Sequence, residues 1–180
     1  MEQLTELTLC PFLFHLRRTF TMNNPLDFSR PIPGQALPHW SIETIFDELA
    51  PTIHEFAGRP LLILLFSLGC PGCLGRAIPY ANRIVVEQGE KIAVMGIHTN
   101  IEGVDFALDK FSRAKEEYYI RFPFFKDNNY NTTFWAYGAG GTPHWLLVDE
   151  QGIIAYSIFG SDPNNALLRL DLKIQELLQD

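Results

Sequence analysis

Two cysteines stand at positions 70 and 73, separated only by Pro71 and Gly72, in the stretch FSLGCPGCLGRAIP (66–79). A Cys-x-x-Cys pair supports three chemistries. As thiolates, both sulfurs can hold a soft metal ion such as zinc. Oxidised once, they make a structural bridge. With one sulfur accessible and the other sheltered, they cycle between dithiol and disulfide. The elements that carry the pair must decide among these.

The run LLILLF (61–66) is apolar at every position, the pattern of a strand in the centre of a sheet covered on both faces. After the cysteines, LGRAIPYANRIVVEQGE reads as a helix closed by Gly89, with Pro79 inside it as an expected kink. Cys70 therefore falls at the C-terminal end of a strand and Cys73 in the first turn of the next helix, on the edge where open α/β sheets collect ligands and chemistry. The unpaired N–H groups and dipole of that helix favour an anionic sulfur at Cys70. Pro71 suits the first helical position, and Gly72 leaves no side chain to screen the sulfur. On this reading Cys70 is the exposed nucleophile and Cys73 the more buried resolving thiol. A zinc site would need a second ligand pair, and only Cys10 and scattered histidines are available. No metal ligands and no cofactor are assigned.

The remaining elements follow from periodicity. Residues 41–50 (SIETIFDELA) suggest a helical turn or two, with Ile42, Ile45, Phe46 and Leu49 on one face. KIAVMGIHTN (91–100) is a second buried strand. VDFALDKFSRAKEEYYI (104–120) is an amphipathic helix turning Phe106, Phe111, Ala114 and Tyr118 inward. FPFFKD (122–127) is short and extended, and NTTFWAYG (131–138) a brief helix ending at Gly138. Residues 144–160 read as a hairpin turning at Glu150, Gln151 and Gly152. Leu167, Leu170, Ile174 and Leu177 make the stripe of a last helix. Strand, helix, strand, helix, hairpin, helix implies an α/β sandwich, parallel in its first half and antiparallel in its last strands. Trp135 and Trp145 read as core residues. His98 and His144, at strand ends on the same sheet edge, read as hydrogen-bonded surface residues that could also tune the thiolate.

The chain has 180 residues, enough for one domain with a proper core. Its formal charge of -7, with no basic run denser than Arg17-Arg18, argues against nucleic acid or anionic membrane as partner. No apolar stretch is long enough for a membrane span. Glu2 and Glu6 precede a short apolar run at 7–16 and the arginines follow it, the reverse of a secretory signal, so a cytoplasmic location is the default reading. Four prolines between positions 25 and 38 mark an extended linker. The expected division is an N-terminal extension and linker at 1–33 and one domain at 34–180.

FSLGCPGC after an apolar strand, followed about seventy residues later by GGTPHWLLVDEQGII, resembles the thioredoxin superfamily. Within it the chain is most similar to the TlpA-like and redoxin (alkyl hydroperoxide reductase/thiol-specific antioxidant) branch. GQALPHW, GRPLLILLF, FPFFKD and WAYGAGGTP match further stretches of that pattern, so that residues 34–180 are covered. The resemblance implies a thioredoxin-like three-layer sandwich, a mixed central sheet flanked by helices. It also implies a cis peptide at Thr142-Pro143 lying against the dithiol, and a substrate groove formed by Gly69, Pro71, Gly72, Thr142, Pro143 and His144. Three positions depart from the family. Gly69 stands where many relatives have Trp before the first cysteine. Leu64 stands where thioredoxins bury a proton-relay Asp, which leaves the base for Cys73 unassigned. Pro79 comes one residue late in the helix.

The implied activity is thiol-disulfide exchange with a protein or small-molecule disulfide and a separate electron donor. A thiol peroxidase of the peroxiredoxin type is the alternative, since Ser67 stands three residues before Cys70. A copper-binding module of the Sco type fits less well, because that family separates its cysteines by three residues.

Overall fold

The computed structural model describes residues 33–179; Cys10, the arginine pair and the rest of the N-terminal extension lie outside the described residues. Six strands form one mixed sheet in the order β1-β4-β3-β2-β5-β6. They are β1 Ile42–Glu43, β2 Leu61–Phe66, β3 Ala93–His98, β4 Phe124–Asp127, β5 His144–Val148 and β6 Ile154–Phe159. The strands β2, β3 and β4 are parallel; β1 pairs with β4, β5 with β2 and β6 with β5, each antiparallel. The helices are α1 Ile78–Gln88, α2 Leu108–Glu117, α3 Thr132–Ala136 and α4 Ala166–Leu177.

Strand β2 sits at the centre because every one of its side chains is apolar and can be buried on either face. All six are essentially inaccessible. Leu62, Leu64 and Phe66 join Ile78 and Ile84 of α1, Phe111 of α2, and Leu170 and Ile174 of α4. Leu61, Ile63 and Leu65 face the other way, onto Met95, Phe125, Phe134 and Tyr137. Each such side chain removed from water contributes roughly 2 kcal/mol, so a strand of this kind anchors both cores at once.

The 41–50 segment is not a helix. Its backbone is taken by the open edge of β4, where Ile42 stands opposite Asp127 and Glu43 opposite Lys126. Ser41 N–H donates to Thr133 Oγ1 at 2.8 Å, and Asn128 N–H to the Ser41 carbonyl at 3.1 Å. An unpaired strand edge offers more hydrogen bonds than a ten-residue helix bounded by prolines can keep. The expected apolar stripe is split across the sheet: Ile42 packs with one core, Ile45 and Phe46 with the other, and Leu49 is exposed.

Part of the expected linker is also fastened. Gly34 and Leu37 N–H groups donate to Ile154 and Gly152 carbonyls, and Ile154 N–H returns to Gln35. Leu37 is buried against the second core.

Candidate active site

Strand β2 ends at Phe66, and four residues carry the chain to the next helix. Cys70 N–H donates to the Ser67 carbonyl, while the Cys70 carbonyl accepts the first helical bonds from Cys73 and Leu74. Cys70 is thus the N-cap, Pro71 takes the first helical position, and Cys73 the third. The side chain does what a capping serine oxygen would do: its Sγ accepts the Cys73 N–H at 3.3 Å. A charged acceptor holds such a bond more strongly than a neutral one. In the resting dithiol the Cys70 S–H donates to the Thr142 carbonyl, 3.3 Å away.

Cys70 is half-buried and Cys73 wholly buried. Cys73 belongs to the core cluster containing Leu64, Phe66 and Trp145. Burial pushes its thiol well above the ordinary range; a bond from the Ser67 backbone pulls it down less than burial raises it. Leu64, the position matched to the relay Asp of thioredoxins, offers only hydrocarbon there.

The dithiol is roofed by the turn before β5. Thr142-Pro143 is a cis peptide. A Cβ built on Gly72 would lie 3.7 Å from Pro143 Cδ, 3.8 Å from Cys70 Sγ and 3.2 Å from Ser161 Oγ, so three segments converge at that glycine. Ser161 is buried, and its hydroxyl donates to the Gly72 carbonyl at 3.1 Å. Gly160 N–H donates to the Pro143 carbonyl, and Trp145 Nε1 to the Gly160 carbonyl, pinning the turn to the end of β6.

The floor comes from β3. His98 is 1% exposed, and its Nε2 accepts the Leu68 N–H at 3.1 Å. Phe66, Phe106 and Phe111 present their rings edge-on to it. Burial lowers its pKa to about 4, so the ring is neutral and its acceptor nitrogen holds the approach to Cys70. Beside it Ser67 Oγ accepts the Gly69 N–H at 3.0 Å and donates to Glu102 Oε2 at 2.9 Å.

The structure gathers Gly69, Cys70, Pro71, Gly72, Cys73, Thr142 and Pro143 around one sulfur. It does not bring the His144 side chain to them. His144 is buried, hydrogen-bonded to Ser157 at 2.9 Å, on the opposite side of β5 from Trp145. Both strand-end histidines are therefore interior residues and not surface ones. Trp145 is a core residue as expected, but Trp135 is 47% exposed. Glu102 and Ser161 carry no sequence signal of their own. Gly69, where the family resemblance leads to the expectation of Trp, is the one local sign that something else occupies that space.

No family model and no curated protein matches this sequence. Among solved structures, a thiol-disulfide isomerase from Corynebacterium glutamicum is similar with a TM-score of 0.71 at 23% identity, over 82% of this chain and 97% of that one. A thioredoxin-like superfamily protein gives 0.67 at 26% identity, over 81% and 97%. A thiol:disulfide interchange protein of the thioredoxin family from Chlorobium tepidum gives 0.63 at 18% identity, over 83% and 99%. The mixed six-stranded sheet flanked by helices is the thioredoxin-like α/β fold of these proteins.

Proposed function

On a chain with the thioredoxin-like fold, we propose that Cys70 and Cys73 form the redox dithiol of a thiol-disulfide oxidoreductase in the TlpA-like and redoxin branch. The observation that carries this reading is the division of labour at the helix start. Cys70 is reachable and accepts a backbone N–H, while Cys73 waits directly behind it in the core.

In the forward direction the Cys70 thiolate attacks one sulfur of a substrate disulfide. The S–S bond breaks, a Cys70–substrate mixed disulfide forms, and one substrate sulfur leaves as thiolate. Cys73, after losing its proton to solvent or to a leaving thiolate, attacks the Cys70 sulfur. That step closes the Cys70–Cys73 bond and releases the second substrate thiolate, so two electrons pass from the protein to the substrate. A dithiol donor restores the reduced pair by the same steps reversed. The groove is formed by Gly69, Pro71, Gly72, Thr142 and Pro143; orientation leaves the His144 ring out of it.

The peroxidase alternative gains little support from the geometry, because the only hydroxyl hydrogen of Ser67 is directed to Glu102 and away from Cys70. Insulin-disulfide reduction with a dithiol donor tests the proposal, with peroxide consumption and copper binding run beside it. Cys70→Ser is expected to abolish turnover, and Cys73→Ser to accumulate a mixed disulfide visible by mass. A Cys73→Ser protein with full multi-turnover activity, or peroxide oxidising Cys70 faster than any disulfide does, overturns the reading.

A further inference from the structure

The residue before Cys70 is a glycine, and the space that a side chain would fill there is already taken. A Cβ built at position 69 would collide with Glu102 Oε2. That carboxylate reaches the site from the loop after β3, thirty-two residues further along the chain, and it is held there. Ser67 is 1% exposed, and its oxygen already accepts the Gly69 N–H. Its single hydroxyl hydrogen is therefore free only for Glu102, to which it donates at 2.9 Å. Glu102 itself is exposed, and among the described residues no Lys, Arg or His pairs with it; Lys126 is engaged with Asp105.

A negative charge with no cationic partner among the described residues thus stands against Gly69, one residue before the half-exposed Cys70. We infer that Glu102 is a specificity-determining residue that makes the reaction at Cys70 favour disulfides carrying positive charge beside the reactive sulfur over those carrying carboxylates. The inference rests on the oxidoreductase reading. A substrate sulfur joined to Cys70 lies one residue from Gly69, and the carboxylate lies against Gly69. At that range an exposed unit charge changes the encounter of oppositely charged small molecules about five- to tenfold in low salt, and salt screens the effect. Like charge is repelled by a similar factor, so one residue both attracts and excludes.

The test uses the pre-reduced protein in single-turnover oxidation by three small disulfides of similar size: cystamine (a dication), hydroxyethyl disulfide (neutral) and dithiodiglycolate (a dianion). The quantity read is the ratio of the cystamine and dithiodiglycolate rate constants, compared between wild type and Glu102→Gln, which cancels the intrinsic reactivity of the probes. Glutamine keeps the acceptor for Ser67 and removes only the charge. The ratio is expected to fall about 25- to 100-fold in Glu102→Gln, the product of the lost attraction and the lost repulsion, and to fall further in Glu102→Lys. In 1 M salt the wild-type ratio should drop toward that of the glutamine variant. Equal ratios in wild type and Glu102→Gln, or all three rates falling together, would show that Glu102 merely supports the loop and would overturn the inference. Failure of the wild type to react even with the neutral disulfide would instead overturn the oxidoreductase reading.

Discussion

On the proposed mechanism Cys73 has to lose its proton before it can attack Cys70, and its surroundings oppose that loss. Its thiol is raised by burial among Leu64, Phe66 and Trp145, and the groups that shift it include no carboxylate. At neutral pH only a minute fraction is thiolate, and that fraction grows tenfold with each pH unit as long as pH stays below the raised pKa. Release of the second substrate thiol from a preformed Cys70 mixed disulfide should therefore accelerate about tenfold per unit between pH 6 and 9. Quenched-flow measurement of that release checks it, and a plateau near pH 7 would reveal a base that takes the proton. That Cys70 is the more accessible sulfur and Cys73 the buried one is readable from four adjacent letters, because the N-cap, the first-turn proline and the buried third position are local. Glu102 and Ser161 are not, since a sheet edge and the end of β6 bring them from 35 and 89 residues away.

At the level of elements, the late proline has a structural answer. Helix geometry begins at Pro71, widens to a π turn over Cys73–Ala77, and returns to α at Ile78. A π turn is how a helix absorbs one inserted residue without rotating the turns beyond it. It lets Cys73 and Ile84 both face the core although Pro79 stands one place later than the family pattern. Pro79 does not stand inside this widened turn but in the first turn of α1 that follows it. Gly75 lies in it with open space around the missing Cβ, whereas Gly96 in β3 is crossed at 2.9–3.0 Å by Phe122, Phe124 and Phe66. Gly75→Ala should raise stability by about 0.5–1 kcal/mol, by restricting the unfolded chain. Gly96→Ala should cost about 1–3 kcal/mol, by overpacking the aromatic layer. Urea unfolding of the two variants checks both signs. The limits of β2, β3, β5 and β6 are legible because their apolar runs are long and bounded by turns. The 41–50 segment misleads because its periodicity competes with an edge 83 to 85 residues away, which no local pattern reports.

The described residues form two apolar layers on one sheet, and the site is cut into the end of one of them, so the site and the fold share a buried titratable group. His98 ends β3, the strand paired with β2, and holds the Leu68 N–H above a ring of three phenylalanines. Its folded pKa is about 4 against an ordinary 6.5, with Lys126 lowering it further and Asp105 opposing. Between those values the unfolded chain binds the proton and the folded chain does not. Stability is then lost as pH falls from 6.5 toward 4 and levels off below, in total on the order of 3 kcal/mol. Asp127, raised by burial, works in the opposite sense on acidification, so the wild-type profile alone is a mixture. The difference between wild type and His98→Gln removes that contribution, because glutamine can still accept from Leu68 but does not titrate. Unfolding free energies at pH 7 and pH 4.5 should differ by about 2–3 kcal/mol more in wild type than in His98→Gln. Equal slopes in the two proteins would mean that the histidine is already charged, or reaches water, in the folded state.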